Sequence, residues 1–143
     1  MARCSYKMPE DFLLKISKLG NRTDEIIPRV LDAGGEVMLR RIKSNLTAAI
    51  GSGTKKPSRS TGELAGALGV SPTLIDKKGD YNIKVGFSEP RKDGDSNAKI
   101  ANILEYGKIG QPPKPFLKPA RSSGRKPCIE AMKAKLGEEL KGI

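Results

Sequence analysis

The 143-residue sequence contains no histidine and only two cysteines, Cys4 and Cys128. Without histidine the chain has no imidazole general base, and two cysteines alone do not supply the usual ligands of a structural zinc site. Both thiols are expected to be reduced and to behave as small apolar side chains, because disulfides are rare in the cytoplasm, where we expect synthesis. The sequence therefore predicts no metal and no cofactor.

Long apolar runs are also missing. There is no run of about 18 apolar residues, which a transmembrane helix needs. The N-terminal stretch MARCSYKMPEDF has no apolar signal core, so export is not expected either. Only 36% of the residues are hydrophobic and 4% are aromatic. We expect one domain over residues 1–143 with a small aliphatic core.

Motifs for phosphate or acyl chemistry are lacking. No stretch fits the phosphate-binding pattern G-x-x-x-x-G-K-[ST] or the G-x-S-x-G elbow of hydrolases. Asp93 and Asp95 lie in a loop rich in lysine and glycine, which favours a solvated loop over a metal-dependent nuclease site. The sequence thus predicts a protein that is not an enzyme.

Positive charge is what the chain has in excess. It carries 27 basic and 16 acidic residues, a net charge of +11, and the excess lies in residues 1–60 and 108–143. Such a balance fits nucleic acid, an acidic protein partner or simple solubility. Residues 51–60, GSGTKKPSRS, carry Lys55, Lys56 and Arg59. They predict either a solvated loop or an arm that orders on a neighbouring subunit or a phosphate backbone.

Apolar spacing predicts helices in the first third of the chain. The first covers residues 8–19 and is closed by Gly20-Asn21. The second covers residues 23–50, with Thr23 or Asp24 as its cap. Gly34-Gly35 lies inside it and indicates a kink or a close helix–helix contact, or alternatively a hinge used on assembly.

The middle of the chain changes from helical to strand periodicity. A short helix is predicted over residues 61–68, capped by Ser60 or Thr61. A hairpin follows, with its turn at residues 78–80, and its second strand alternates apolar and polar residues. The apolar face of that strand, expected to meet the long helix, consists of Tyr81, Ile83, Val85 and Phe87. Since two strands are marginally stable, we expect a third from residues 108–112 or from a neighbouring subunit.

The last third is predicted to be mainly helical. After a polar loop at residues 88–96, a short helix covers residues 97–105. A final helical region begins at Pro119-Ala120, is interrupted at residues 122–124 and resumes near Pro127. Its apolar seam should dock on the core of the long helix, or alternatively pack between subunits; the seam consists of Cys128, Met132, Leu136 and Leu140. The fold class is therefore α+β: a long N-terminal helix and a C-terminal helix packed on a small antiparallel sheet, with flexible basic loops.

The chain is expected to be organised around residues 97–120, which contain the short helix and the stretch that leads into the final helical region. Ile100, Ile103 and Leu104 form one face of the short helix, and Tyr106-Gly107 ends it. Prolines 112, 113 and 115 fix φ and remove backbone donors, so the loop is stiff. Phe116 and Leu117 are large apolar anchors at its exit. A stiff loop between two anchored ends suits a fixed shape held against a partner.

Glu105 is the only acidic residue in this stretch. At the C-terminal end of its helix the carboxylate opposes the helix dipole. A salt bridge to lysine or arginine would offset this, so we expect a structural or interfacial role for Glu105 rather than a catalytic one.

The order of these residues resembles a phage signature. Leu104-Glu105-Tyr106-Gly107, a short loop and then residues 115–120, PFLKPA, resemble the gene-product-ten-like tail-completion (head–tail joining) proteins of HK97-type siphophages. Members of that family read LEFGT, a loop and RPFLRPA. Here tyrosine stands for phenylalanine, and lysines 108, 114 and 118 replace the threonine and the two arginines. Weaker matches lie at residues 62–64 and 85–86.

The resemblance implies a virion structural protein of the neck or tail, assembled in the host cytoplasm. It implies a ring of subunits, expected to be a hexamer, between the head connector and the tail terminator or tube, with DNA passing through and no membrane contact. The residues implied for assembly are Leu104, Glu105, Tyr106, Gly107, Pro115, Phe116, Leu117 and Pro119.

The alternative is a basic nucleic-acid-binding protein. Its phosphate contacts would be Lys55, Lys56, Arg59, Arg121, Arg125 and Lys126, and its affinity would fall steeply with salt. Few aromatic residues are present to stack on bases, and no helix-turn-helix or zinc-finger spacing occurs. The assembly protein is the preferred interpretation.

Overall fold

The computed structural model describes residues 10–51, 62–89 and 94–142. Four helices and four short strands follow one another in these ranges. In chain order they are α1 (Glu10–Ala49), α2 (Glu63–Ala67), β1 (Leu68–Val70), β2 (Leu74–Ile75), β3 (Tyr81–Asn82), β4 (Val85–Phe87), α3 (Asn97–Tyr106) and α4 (Leu117–Lys141). The expected α+β class, with long helices at both ends of the chain and a small antiparallel sheet, is confirmed.

A single helix, α1, replaces the two helices predicted at the N-terminus. It runs unbroken for 40 residues, so the predicted break at Gly20-Asn21 is wrong. Thr23 does not cap a new helix, because its hydroxyl donates to the carbonyl of Leu19 at 3.0 Å, within the same helix. A glycine inside a helix costs only about 1 kcal/mol relative to alanine, which is too little to end one by itself.

α4 is also continuous and lies antiparallel to α1. Arg29 of α1 meets Glu139 near the end of α4 at 3.0 Å, whereas Asn45 donates to the carbonyl of Phe116 at its beginning, at 3.3 Å. The predicted interruption at residues 122–124 is wrong. The hydroxyls of Ser122 and Ser123 donate back to carbonyls four residues earlier, at 3.1 and 2.9 Å, so they are satisfied inside the helix.

Glycines allow α1 to approach its neighbours closely on two sides. A Cβ at Gly34 would lie 2.7 Å from Met132 of α4, and one at Gly35 would lie 2.5 Å from Ile83 of the hairpin. Gly124 of α4 has the same role, since its Cβ would lie 2.7 Å from Met38. The predicted close helix–helix contact is therefore confirmed at Gly34, whereas Gly35 contacts the hairpin.

The strands form one hairpin in two paired segments. β1 pairs antiparallel with β4, with Val70 opposite Val85, and β2 pairs antiparallel with β3. Between the segments the hydroxyl of Ser71 accepts a bond from the amide of Lys84 at 2.8 Å, which bridges a one-residue shift in register. The contact of Ile83 with Gly35 confirms that the apolar face of the second strand meets the long helix.

Two details of the middle region differ from expectation. Gly62, at φ 80°, is the N-cap of α2 and makes no side-chain capping bond. The predicted caps, Ser60 and Thr61, and most of the loop at residues 51–60 lie outside the described residues. Lys108 pairs with Gln111 in an isolated bridge, so residues 108–112 form a tight turn and not a third strand of the sheet.

The buried core lies where the helices and the hairpin converge. It contains Ile42, Leu46, Leu64, Ala101, Phe116 and Ala120. The rings of Phe87 and Phe116 meet edge to face, with centroids 6.1 Å apart and an interplanar angle of 72°. Every helix thus contributes to one cluster, and Phe116, at the exit of the loop, lies inside it.

The close approach of α1 and α4 at Gly34 can be tested with two matched substitutions. Gly34→Leu should lower the free energy of unfolding by about 1–3 kcal/mol, because the added side chain overpacks the contact with Met132. Gly137→Leu is the control: it lies in α4 with no atom within 4 Å of an added Cβ, so the gain in helix propensity should stabilise the protein slightly. Urea unfolding followed by circular dichroism measures both, and a stable Gly34→Leu variant would contradict the close contact.

Candidate functional site

α3 buries a polar face and not only the predicted apolar one. Its buried residues are Asn97, Ala101 and Glu105, spaced four residues apart, while Ile100, Ile103 and Leu104 beside them are half-buried. The side-chain amide of Asn97 donates to the carbonyl of Ser88 at 2.6 Å. This bond secures the beginning of α3 to the end of the hairpin, and Glu105 secures the other end.

The carboxylate of Glu105 caps the N-terminus of α4. Its Oε2 accepts bonds from the amides of Phe116 at 2.7 Å and Leu117 at 2.9 Å, and its Oε1 accepts one from Lys118 at 3.0 Å. The first amides of a helix have no partner within that helix, and an anion is favoured there. Glu105 therefore supplies from α3 the cap that α4 lacks in its own sequence, since Phe116 makes no side-chain capping bond.

The pKa of Glu105 follows from this environment. Burial raises it, but the three backbone amides and the positive charge of Arg121 lower it by more, so the pKa lies below its ordinary value of 4.5. Only 6% of the residue is exposed, yet the carboxylate is ionised at neutral pH. Backbone amides, with the charge of Arg121 nearby, take the place of the predicted salt bridge.

The loop between α3 and α4, residues 107–115, is closed by backbone bonds. The amide of Gly107 donates to the carbonyl of Ile103 at 2.8 Å, and the amide of Lys114 donates to that of Leu104 at 2.7 Å. Gly107 has φ 78°, and a Cβ there would lie 2.8 Å from the backbone nitrogen of Pro113. Only glycine fits this position without strain.

The tip of the loop is a tight turn. Lys108 and Gln111 exchange backbone bonds of 3.0 and 2.9 Å, and Gly110 has φ 80°, as the third residue of a type II turn requires. Ile109 at the tip is fully exposed, and Tyr106, the last residue of α3, is 77% exposed. The end of α3 and the loop thus present two large exposed side chains on a backbone held by its own hydrogen bonds.

The predicted assembly residues fall into two groups. The buried and half-buried ones are here called the frame, and the others are exposed. Glu105 and Phe116 are buried, Leu104, Gly107 and Leu117 are half-buried, and Tyr106, Pro115 and Pro119 are exposed. Ile109 was not among the residues predicted for assembly. An isolated isoleucine between lysine and glycine in a proline-rich loop has no core to join, and this pattern could have marked it.

The basic residues proposed as phosphate contacts are not drawn into one described site. Lys55, Lys56 and Arg59 lie outside the described residues. Arg121 and Arg125 are exposed one helical turn apart on α4, and Lys126 is rotated by about 100° from Arg125. Arg121 acts electrostatically on Glu105, so part of this charge serves the α3–α4 joint.

Within residues 10–51, 62–89 and 94–142, no group of three or more acidic, cysteine or histidine side chains is placed to hold a metal ion. No helix in these ranges is long and apolar enough to cross a membrane.

The chain matches one family of known proteins. Residues 10–107 fit the family described as "Bacteriophage HK97-gp10, putative tail-component". The match covers more than half of the chain and ends at Gly107, so it includes the first part of the signature and stops before residues 115–120. The chain matches no curated protein and no solved structure.

Phe116→Ala should lower the free energy of unfolding by about 3–5 kcal/mol, because the ring is fully buried in the core. Phe116→Leu, which keeps much of the volume, is the control and should cost less. Thermal unfolding measures both. If Phe116→Ala left the melting temperature unchanged but abolished assembly, the phenyl ring of Phe116 would belong to a subunit interface instead.

Glu105→Gln should destabilise the protein by roughly 1–3 kcal/mol, since a neutral amide replaces a buried anion that accepts three backbone bonds. Glu130→Gln, at an exposed position of the same helix that Glu105 caps, is the matched control and should change the free energy of unfolding by less than about 0.5 kcal/mol.

The effect of Glu105→Gln should depend on pH. Because the folded pKa of Glu105 lies below its ordinary value of 4.5, its stabilising contribution is fully present above that value and is lost as the pH falls through the folded pKa. Urea unfolding of wild type and variant should therefore differ by a constant amount near neutral pH and converge in acid. A difference that grew on acidification would contradict the role assigned to the carboxylate.

Proposed function

Because the chain belongs to the HK97-gp10-like family of phage tail components, we propose that it is a tail-completion subunit that joins the head connector to the tail. The subunits form a ring, expected to be hexameric, whose partners are the connector and the tail terminator or tube. DNA passes through the ring. The protein works by binding and has no catalytic step.

One observation carries this proposal: Ile109 at the loop tip and Tyr106 at the end of α3 are exposed next to a buried frame. The tip is exposed, whereas Glu105 and Phe116 at the base of the loop are buried and joined by a 2.7 Å bond. A loop held in its bound shape loses little conformational entropy on docking. Such a surface is suited to a permanent joint between protein assemblies.

The frame and the tip have separate physical roles in this proposal. Substitutions in the frame act on folding, because they remove buried contacts or helix-capping bonds. Substitutions at the tip act on docking, because the side chains there contribute little to the fold. This separation allows docking to be tested with a folded protein.

Ile109→Asp should leave the melting temperature unchanged and prevent recovery of phage neck and tail proteins. The test is a pull-down of the tagged protein from phage-producing cells after nuclease digestion, with bound proteins identified by mass spectrometry. Ile75→Asp, which changes an isoleucine that is 63% exposed on the hairpin, is the control and should retain the partners.

Two outcomes would count against the proposal. If Ile109→Asp and wild type recovered tail proteins equally well, the loop tip would not be part of the docking surface. Loss of every partner of the wild type on nuclease digestion would favour the alternative, in which the net charge of +11 binds nucleic acid.

A further inference from the structure

Positive charge is concentrated at one end of the two long helices. Residues 37–51, at the end of α1, contain three basic residues and no acidic one, and residues 106–129, which cover the loop and the first half of α4, contain six basic residues and no acidic one. The remaining parts of the two helices, residues 10–36 and 130–141, carry seven basic and nine acidic residues. Because α1 and α4 are antiparallel, the two basic parts lie together, and they are here called the basic end.

Acidic residues of neighbouring elements offset only part of this charge. Glu63 lies at the start of α2, and Glu105 at the end of α3 is buried and engaged by three backbone amides. An excess of seven positive charges is therefore left at the basic end. Among the described residues, the ion pairs of α1 and α4 lie toward the opposite end, as between Arg29 and Glu139.

Arg40 and Lys43 line one shallow depression on the outer side of α1. Both side chains are exposed, and a spacing of three residues brings their Cβ atoms to within about 6 Å of each other. Like charges at this spacing repel, and a bound anion would offset the repulsion. The other residues that line the depression are small or carry a hydroxyl group: Ser44, Thr47 and Ala48.

The basic surface continues across the contact between the two helices. Arg41 donates to the hydroxyl of Ser123 on α4 at 3.3 Å, and Lys126 is exposed one turn further along α4. The nearest acidic residues on the two helices, Glu36 and Glu130, lie one turn further toward the other end of the molecule. The four residues here called the basic patch are Arg40, Arg41, Lys43 and Lys126.

The chemistry of this surface fits phosphate groups better than an acidic protein. Protein interfaces are centred on apolar or aromatic anchors, but no large apolar side chain is exposed in the described residues 37–51 or 117–128. Protein–DNA interfaces are more polar and far more positive, and their phosphate contacts come from arginine, lysine, serine and threonine. The hydroxyl-bearing residues on these parts of the two helices are Ser44, Thr47, Ser122 and Ser123.

We propose that the basic patch binds the phosphate backbone of double-stranded DNA. This inference rests on the proposed function and deepens it, because it names the surface that faces the DNA passing through the ring. Contacts with phosphates carry no sequence information, so duplexes of different sequence bind equally well. Binding weakens steeply as salt rises, because each contact releases counterions from the DNA.

The test measures binding of the purified full-length protein to a short labelled duplex by fluorescence anisotropy over a series of salt concentrations. The patch variant combines Arg40→Gln, Lys43→Gln and Lys126→Gln, and leaves Arg41 with its bond to Ser123. Its affinity should fall on the order of 100-fold at about 0.1 M salt, and the slope of log affinity against log salt should become shallower by about 3.

The matched control removes the same net charge from exposed positions away from the basic end. It combines Lys15→Gln, Lys18→Gln and Lys133→Gln, and it should bind the duplex almost as tightly as wild type does. Glutamine is a good helix former, so circular dichroism should show that both triple variants are folded.

Three outcomes would overturn the proposal. Wild type might bind no duplex at low salt, or both triple variants might lose affinity equally, in which case net charge alone is responsible. The third outcome uses polyglutamate and vesicles of phosphatidylserine, offered at the same concentration of negative charge as the duplex. If the basic patch bound either of them more tightly than the duplex, its partner would be an acidic protein or a lipid surface.

The result is separable from the proposed function. If the patch variant binds the duplex as wild type does while wild type recovers tail proteins after nuclease digestion, this inference fails and the tail role stands. If the duplex is bound through the basic patch but wild type recovers no phage protein, the DNA site stands and the tail role fails.

Discussion

The capping of α4 by Glu105 is the interaction on which the described structure depends most. One carboxylate accepts three amides at 2.7–3.0 Å and thereby joins the last turn of α3 to the first turn of α4. The same contact sets Phe116 into the core against Phe87. An anion at the C-terminal end of α3 is unfavourable for that helix alone. It becomes favourable because a second helix begins beside it.

Packing of side chains directly against glycine backbone is the second constraint, and it acts at a distance from the loop. Gly34 and Gly35 let α4 and the hairpin contact α1 from two sides, and Gly124 repeats this arrangement from α4. A side chain at any of these positions would require the contacting side chains, among them Met132, Ile83 and Met38, to shift. The few apolar side chains of this sequence are therefore packed closely between the helices and the hairpin, and few of them are aromatic.

The sequence predicted those features that depend on local periodicity. The extent of α3 and the alternating second strand with its turn near Gly79 follow from spacing and turn chemistry. Phe116 was predicted only as an apolar anchor, and the structure places it in the core. The two predicted helix breaks were wrong because glycine and serine can lie inside a helix as well as at its ends. Ser122 and Ser123 bond to carbonyls of their own helix, and Gly124 serves a contact with α1. Only the tertiary structure distinguishes these uses from a break.

The role of Glu105 could be predicted only in part for the same reason. Its neighbours in sequence indicate a helix end, but its partners are 11 to 13 residues away. Nothing local predicts that backbone amides will serve where a salt bridge was expected. Ile109, by contrast, is exposed for a local reason, because it lies at the tip of the tight turn that Gly110 allows.

The closed base of the loop has a consequence for how such a chain can diversify. Bonds from Gly107 and Lys114 to the last turn of α3 hold the two ends of the loop, so the core does not depend on how many residues lie between them. Lengthening a loop whose ends are already held costs only about 0.6 kcal/mol per doubling. Insertions and exchanges at the tip can therefore accumulate in related chains while the frame and the fold stay constant.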